Sequence, residues 1–336
     1  MKLTHIGFPE IQLSINMVSE SKKNNLSPVA VYTYTRVEHF IKTIESLKSN
    51  HLAKSTTLYV ISDGPKYEHH KNFVESIRNY TEDISGFREV VKIFRPNNLG
   101  MAVNLPDAEQ QILSDHGKII NMEDDNISSK NYLDFINAGL DYFEDDESVY
   151  SVCGYCPPVA PVTVSSYGDF WYYPWNITWG YGIWKTKHDH LSRLPNLYPE
   201  YRRTGLLTRQ NRAGGLYVTD SLKRHYEGLK YFPDAVLCTE MFAKNMRSII
   251  PTVSKIRNIG QDGSGQSSYK ITDKYDVELD DGVLRGFDFS HESMHADYFR
   301  NNARNFFNGG AVTRLARKFG IYHHLTAWRN YLINGR

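Results

Sequence analysis

The stretch GKIINMEDDNISSKNYLDFINAGLDYF, residues 117–143, decides the fold. Its first six residues, GKIINM, have the length and apolar character of a buried strand. The acidic triplet Glu123-Asp124-Asp125 follows at once, and Ser128 or Ser129 is the predicted N-cap of a helix. Apolar residues then recur at helical spacing: Tyr132, Leu133, Ile136, Leu140 and Phe143. The stretch therefore predicts a strand, an acidic turn and an amphipathic helix.

Three similar strand units precede this one. Strands are predicted at VAVYTY (29–34), TTLYVIS (56–62) and EVVKIF (89–94). Strands that alternate with helices predict an α/β domain with a mixed, mostly parallel sheet flanked by helices. Such sheets bind ligands at the carboxyl ends of their strands, where Asp63, the Asn97–Gly100 loop and the triplet stand in the sequence. We expect these polar groups to meet at one edge.

The acidic triplet carries the clearest chemical signal. Carboxylates crowded at a strand end repel one another and bind a hard cation, Mn²⁺ or Mg²⁺, which in turn can hold a diphosphate. A solvated acidic turn is the alternative. The sequence has no GxxxxGK[ST] motif and no GxGxxG after the first strand, so a metal rather than a glycine nest is expected to handle phosphate. This disfavours kinases, ATPases and nicotinamide dehydrogenases.

Composition excludes other classes of protein. The chain has 336 residues and a formal net charge of +1, so no basic field draws it to nucleic acid. Its three cysteines fit a reducing compartment rather than a disulfide framework. No apolar run reaches the eighteen or so residues of a membrane span, and an apolar signal core is lacking. A cytoplasmic protein is expected.

The second half supplies further candidates. Residues 171–184 hold four of the five tryptophans, and only the turn at Trp179-Gly180 is expected to face a ligand. Asp234 in an apparent loop, or Glu240 in a helical stretch, is the candidate general base for an acceptor hydroxyl.

A competing motif is present at residues 291–295. His291-Glu292-Ser293-Met294-His295 matches HExxH, which binds zinc when both histidines share one helical turn. The flanks FDFS and ADYF lack the long apolar helix that buries such a site. A zinc hydrolase is therefore kept only as an alternative.

Taken in order, these motifs resemble a GT-A glycosyltransferase, and in particular N-acetylglucosaminyltransferase I and its bacterial surface-polysaccharide relatives. The resemblance covers roughly Val29 to Ser268. It implies that Asp125 binds Mn²⁺ or Mg²⁺, that Asp124 contacts the ribose or the metal shell, and that Glu123 contacts a hydroxyl of the donor sugar. These are the family's expected roles for a Glu-Asp-Asp triplet.

The resemblance also implies a donor pocket around the triplet. Thr35 and Arg36 would approach the nucleotide, Asp63 its base, and Asn98 and Gly100 would belong to the same pocket. Trp179 and Gly180 would border the donor or acceptor. The loop Gly260–Gly265, with Gly263, would order over the diphosphate. The family's catalytic acidic pair is replaced here by Pro233-Asp234-Ala235, which leaves Glu240 in contention as the base.

The chain divides into four predicted segments. Residues 1–27 form a lead-in, 28–155 the nucleotide-sugar half, 156–297 the acceptor half, and 298–336 a basic helical tail. The tail has seven Lys or Arg and no Asp or Glu, with apolar residues interleaved. It is predicted either to lie on an anionic membrane surface, peripherally at the inner face, or to pack on the domain as an ordinary helix pair.

The resemblance implies a metal-dependent, inverting glycosyltransferase that uses a nucleotide-sugar donor, most readily a UDP-sugar. The acceptor would be a saccharide or lipid-linked saccharide hydroxyl in surface glycan biosynthesis. Two alternatives stay open. A sugar-phosphate nucleotidyltransferase shares the acids and metal but usually has a Gly-rich loop after the first strand, which this sequence lacks. A noncatalytic carbohydrate-binding protein would use the Trp-rich segment without metal.

Overall fold

A computed structural model describes residues 26–159, 168–191, 197–265 and 271–319, and positions 321, 322, 325 and 328. Most of the predicted lead-in and much of the end of the predicted tail lie outside the described residues. Within the described ranges, every helix is too short or too polar to traverse a bilayer.

The strands occupy the predicted regions with small differences at their ends. They are β1 Val29–Thr33, β2 Thr57–Ser62, β3 Glu89–Phe94, β4 Lys118–Glu123, β5 Asn126–Ser128, β6 Val149–Cys153, β7 Phe170–Tyr173, β8 Tyr181–Trp184, β9 Arg247–Pro251 and β10 Ile256–Asn258. Glu123 closes β4 rather than following it, so only Asp124 and Asp125 stand in the turn before β5.

The α-helices fill the connections between the strands. They are α1 Val37–Lys48, α2 Lys71–Glu82, α3 Met101–His116, α4 Tyr132–Tyr142, α5 Lys185–Asp189, α6 Tyr198–Arg203, α7 Leu206–Gly214, α8 Leu216–Tyr226, α9 Pro233–Ala243, α10 Ala296–Asn308 and α11 Ala311–Lys318. Neither Ser128 nor Ser129 caps α4. The cap position is Asn131, whose side-chain oxygen accepts a hydrogen bond from Ser129 Oγ at 2.7 Å.

Eight strands form one sheet in the order β3-β2-β1-β4-β8-β6-β9-β7. The first four strands are parallel, as expected from right-handed strand–helix–strand units. β8 is inserted antiparallel between β4 and β6, and β7 is antiparallel on the far edge. β5 and β10 pair as a separate antiparallel ribbon. The predicted mixed, mostly parallel GT-A sheet is confirmed.

Helices cover both faces of the sheet. On one face, α1 and α4 bury Phe40, Ile44 and Phe135 against the strands. On the other, α3, α8 and α9 contribute to a second apolar cluster. Trp171, Trp175 and Trp184 are buried in these clusters, as the sequence predicts, while Trp179 is only partly buried.

The first helix of the predicted basic tail is part of the domain. α10 packs on β7, α7 and α8, and it buries Phe299 and Ala303. α11 then packs on α8. Within this part of the chain, therefore, α10 and the inner side of α11 behave as an ordinary helix pair packed on the domain.

Candidate functional site

The carboxyl ends of β1, β2 and β4 meet at one edge of the sheet. Register places Thr33 beside Ser62 and Tyr32 beside Glu123. The chain leaves each strand at this edge, so the loop after β1 comes to lie against the turn after β4. The grouping expected from the sequence is thus produced by parallel pairing.

Arg36, just before α1, bridges two carboxylates of the triplet. Its guanidinium donates to Asp125 Oδ2 at 2.7 Å and also hydrogen-bonds Asp124 Oδ1. Thr33 Oγ1 donates to Asp124 Oδ2 at 3.1 Å. Burial raises the pKa of Asp124, and Arg36 acts against that rise by stabilising the carboxylate. A half-buried cation therefore keeps two adjacent acids in place.

Asp125 is held from its other side by β10 and the loop that follows. Asn258 Nδ2 donates to Asp125 Oδ1 at 2.7 Å, and the backbone amide of Ile259 donates to the Asp125 carbonyl at 2.8 Å. A Cβ on Gly260 would lie 2.8 Å from Asp125 Cγ and 2.9 Å from a guanidinium nitrogen of Arg36. Only a glycine lets the loop approach the carboxylate this closely.

The donor set fits a divalent cation held partly by substrate. No group of three or more His, Cys, Asp or Glu side chains among the described residues is arranged to enclose a metal. Each oxygen of Asp125 accepts one protein hydrogen bond and keeps a second lone pair. Mg²⁺ is commonly bound through one or two carboxylates plus substrate phosphates, and Asp125 has the capacity for that role.

Glu123 faces a different neighbourhood from Asp125. Burial raises the pKa of Glu123 to about 8, and Asp125, Asp124 and Asp234 add to the rise. Continuing the β4–β8 register beyond Asn121–Tyr181 sets Trp179 beside Glu123. Gly180 has a positive φ of 66°, and a Cβ there would meet Tyr132 Oη at 2.9 Å. Trp179 and Gly180 therefore border the acidic edge.

The two candidate bases sit in different surroundings, although both are on α9. Asp234 is in the first turn of the helix rather than in a loop, and it raises the pKa of Glu123, so the two carboxylates are close. Burial raises the pKa of Asp234 itself. Glu240, six residues on, is buried and accepts a hydrogen bond from Tyr201 Oη at 2.7 Å. The structure brings Asp234, not Glu240, to the triplet.

Asp63 organises the loop after β3. Its Oδ1 accepts hydrogen bonds from the amides of Gly64 and Leu99, each at 2.9 Å. Its Oδ2 accepts from the amide of Gly100 at 2.8 Å and from Asn98 Nδ2 at 3.1 Å. The sequence suggests contact with a nucleotide base. In the structure, all four bonds go to the loop, which Asp63 holds against the donor edge.

The remaining predicted residues lie in two loops. Thr35 is half-buried in the β1–α1 turn next to Arg36. Gly263 lies in the loop after β10. In that loop, Asp262 Oδ2 is 3.1 Å from His39 Nε2 on α1. The expected diphosphate loop thus crosses over the start of α1, near Arg36.

The HExxH alternative fails on geometry. Residues 291–295 precede α10 instead of forming a helical turn. Glu292 accepts a hydrogen bond from the amide of Tyr172 at 2.7 Å and forms an ion pair with Arg300. A glutamate used in this way is a structural brace, so the zinc hydrolase hypothesis is wrong.

Four residues that the sequence did not single out extend the site. The ring of Tyr275 contacts Trp179 edge-on at 5.5 Å between centroids. Lys274 lies next to it in the chain, and Arg317 on α11 affects the pKa of both residues. Tyr217 on α8 lies under the Arg317 guanidinium, 5.6 Å from ring centroid to Cζ, and Asp234 raises its pKa. No short motif marks these residues, because they converge from three distant segments.

Comparison with known proteins adds little. No family model and no curated protein matches the sequence. Three solved structures overlap with it. They are the mannosyltransferase PcManGT from Pyrobaculum calidifontis in complex with GDP-Man and Mn²⁺ (11% identity, 48% of this chain, 45% of that chain, TM-score 0.35), S. aureus TarS (13%, 70%, 37%, 0.38) and an active-site mutant of LgtC (10%, 64%, 70%, 0.33).

The chain spans less than half the length of the first two structures. At these identities and TM-scores, what this protein does has to be inferred from its own fold and site.

Proposed function

We propose that the protein is a metal-dependent, inverting glycosyltransferase that moves a sugar from a nucleotide donor to a hydroxyl group. One observation carries the proposal. Arg36 joins Asp124 and Asp125 at the carboxyl edge of a GT-A sheet, and a second acid, Asp234, stands near Glu123 from another element. Donor-binding groups and a candidate base therefore share one cleft.

The donor side would be formed by the loop after β1 and the turn after β4. Asp125 would hold Mn²⁺ or Mg²⁺, which when bound neutralises charge on the departing diphosphate. Arg36 and Thr35 lie where they can bind the nucleotide part, and the loop held by Asp63 would close the far side of the pocket. We favour UDP as the nucleotide, with GDP as the second choice.

The acceptor side would be formed by Asp234, Trp179 and Tyr275. Asp234 would take the proton from the acceptor hydroxyl as that oxygen attacks the anomeric carbon. Burial suits it to this task, because a raised pKa makes its carboxylate a stronger base. Glu123 would hydrogen-bond a hydroxyl of the donor sugar. Displacement from the face opposite the nucleotide gives inversion.

The wider setting is also part of the proposal. We place the enzyme in the cytoplasm, in the synthesis of a surface glycan. Its acceptor is taken to be a saccharide, free or carried on a lipid at the membrane. Val312, Leu315 and Phe319 on or next to α11 are exposed apolar side chains that suit such contact.

The test is a transfer assay with purified protein and a panel of UDP- and GDP-sugars, with and without Mn²⁺. Asp234→Asn should lower kcat at least about 100-fold, the usual scale for loss of a general base. Glu240→Gln on the same helix is the matched control and should stay within about threefold of the wild type. Equal losses in both variants, or metal-independent turnover, would contradict the proposal.

Formation of a nucleotide sugar from a sugar phosphate and a nucleoside triphosphate would instead establish the nucleotidyltransferase alternative. Glycan binding with no turnover of any nucleotide sugar would establish the carbohydrate-binding alternative.

A further inference from the structure

Two cations without a hydrogen-bonded acid lie beside the proposed acceptor site. Lys274 is solvent-exposed, and its Nζ lies 4.7 Å from the ring centroid of Phe306 and 5.0 Å from that of Tyr275. Arg317, from α11, lowers the pKa of Lys274 as a nearby like charge, in addition to the effect of burial. Two cations from separate elements are therefore held close together.

Arg317 is the unusual member of the pair. Its side chain is 9% exposed, and its Nη1 donates to the carbonyl of Phe307 at 2.7 Å. The buried Nε makes no hydrogen bond with any described residue. The nearest carboxylate oxygen, on Asp220, is 3.9 Å from Nε, beyond hydrogen-bonding range. A buried guanidinium donor without an acceptor is costly unless a ligand supplies one.

The cation pair sits on the acceptor side of the cleft. The largest electrostatic influences on Asp124 come from Arg36 and Asp125, whereas Lys274 and Tyr275 respond to Arg317. Tyr217 responds to both Asp234 and Arg317, so it lies between them. An anion bound by the pair would therefore lie next to Asp234 rather than on the donor side.

The helix that carries Arg317 also presents an apolar side to solvent. Val312 is 79% exposed, Leu315 58% and Phe319 67%. Beyond α11, the described positions Ile321, Leu325 and Trp328 are exposed as well. From residue 298 to the end of the sequence there are seven Lys or Arg and no Asp or Glu. The surface thus combines hydrocarbon-compatible side chains with positive charge.

We propose that Lys274 and Arg317 bind the phosphate or diphosphate of a lipid-linked acceptor, whose hydrocarbon chain lies along the exposed side of α11. The anionic group would satisfy Arg317 Nε and offset the repulsion between the two cations. The saccharide would then extend past Tyr275 and Trp179 towards Asp234. This inference rests on the proposed function, because it names the acceptor of the same site.

The test measures binding by calorimetry to the full chain, with three probes: farnesyl diphosphate, inorganic pyrophosphate, and UDP or GDP with Mn²⁺. Farnesyl diphosphate should bind at least about tenfold more tightly than pyrophosphate, because its chain adds apolar contact. Lys274→Gln and Arg317→Gln should each weaken both diphosphates about tenfold or more. Arg317→Lys should retain most of the affinity, and Leu315→Ser should weaken only farnesyl diphosphate.

Two controls separate the possible outcomes. Arg314→Gln changes an exposed cation on the same helix and should leave all affinities unchanged. If Arg317→Gln fails to fold, Lys274→Gln decides, since Lys274 is exposed. Nucleotide binding with Mn²⁺ should be unaffected in every variant.

Three results would overturn the inference. They are no binding of farnesyl diphosphate to the wild type, unchanged affinity in Lys274→Gln, or a loss of nucleotide affinity instead, which would assign the pair to the donor. Retained nucleotide binding in these cases leaves the proposed function standing. Failure of the wild type to bind any nucleotide contradicts the proposed function itself.

Discussion

Replacing Asp63 by Asn tests whether this side chain holds a loop or reads a nucleotide. In the wild type, each carboxylate oxygen accepts two hydrogen bonds from N–H groups of the loop. Asparagine has one acceptor oxygen and one NH₂ group. Whichever way the amide turns, two loop donors face another donor instead of an acceptor. The variant therefore loses two of four bonds at a buried position without changing side-chain volume.

The expected cost follows from those two bonds. At about 1–1.5 kcal/mol for each lost bond, the free energy of unfolding falls by about 3 kcal/mol. Unfolding entropy of about 2.1 cal/mol/K per residue, over about 336 residues, converts this to a drop in Tm of about 4 °C. Scanning calorimetry measures that drop, and hydrogen exchange should show faster exchange of the amides of Leu99 and Gly100.

The result that refutes the reasoning is also specific. If Asp63→Asn keeps its Tm and its amide protection but loses affinity for one nucleotide base and not others, Asp63 contacts the base directly. Asn98→Ala is the matched control, because it removes a single bond to the same carboxylate and should cost about a third as much.

Three further predictions concern the cleft. Gly260→Ala places a methyl group against Asp125, so affinity for nucleotide with Mn²⁺ should fall about tenfold in a binding titration, and an unchanged affinity would show that the loop moves freely. Glu240→Gln keeps an oxygen that accepts from Tyr201, so activity should persist, and loss of turnover would make Glu240 the base. Because burial raises the pKa of Asp234 and only its ionised form is a base, kcat/KM should fall as pH drops through a value above that of an ordinary aspartate. A flat profile would exclude Asp234.

The sheet is largely predictable from the sequence because its information is local. Each strand of the first half is a short apolar run closed by a turn signal, and parallel pairing brings the strand ends together. The positions of Asp63 and Asp125 at one edge therefore follow from the pattern. The N-cap of α4 was misjudged by two or three residues, because Asn131 and Ser129 are equally plausible caps until the tertiary contacts of Asn131 are known.

The acceptor side was not predictable in the same way. Asp234 was expected in a loop, although Pro233 at the first helical position is a start signal for a helix. Lys274 and Arg317 lie 43 positions apart in the chain and share no motif. Their proximity depends on how α11 packs on α8, which is a tertiary effect. The HExxH match shows the converse error, since a motif without its helix carries no chemistry.

The measurement that tests the central claim most directly is the melting temperature with nucleoside diphosphates, each with and without Mn²⁺, for wild type and Asp125→Ala. At about 100 times Kd, a ligand of the native state adds about 2.7 kcal/mol, or about 4 °C for a chain of this length. We predict such a shift for the wild type with UDP and Mn²⁺ together, and no shift for Asp125→Ala. An equal shift in both proteins, or none with any nucleotide, would contradict the assignment of this edge as a metal-dependent donor site.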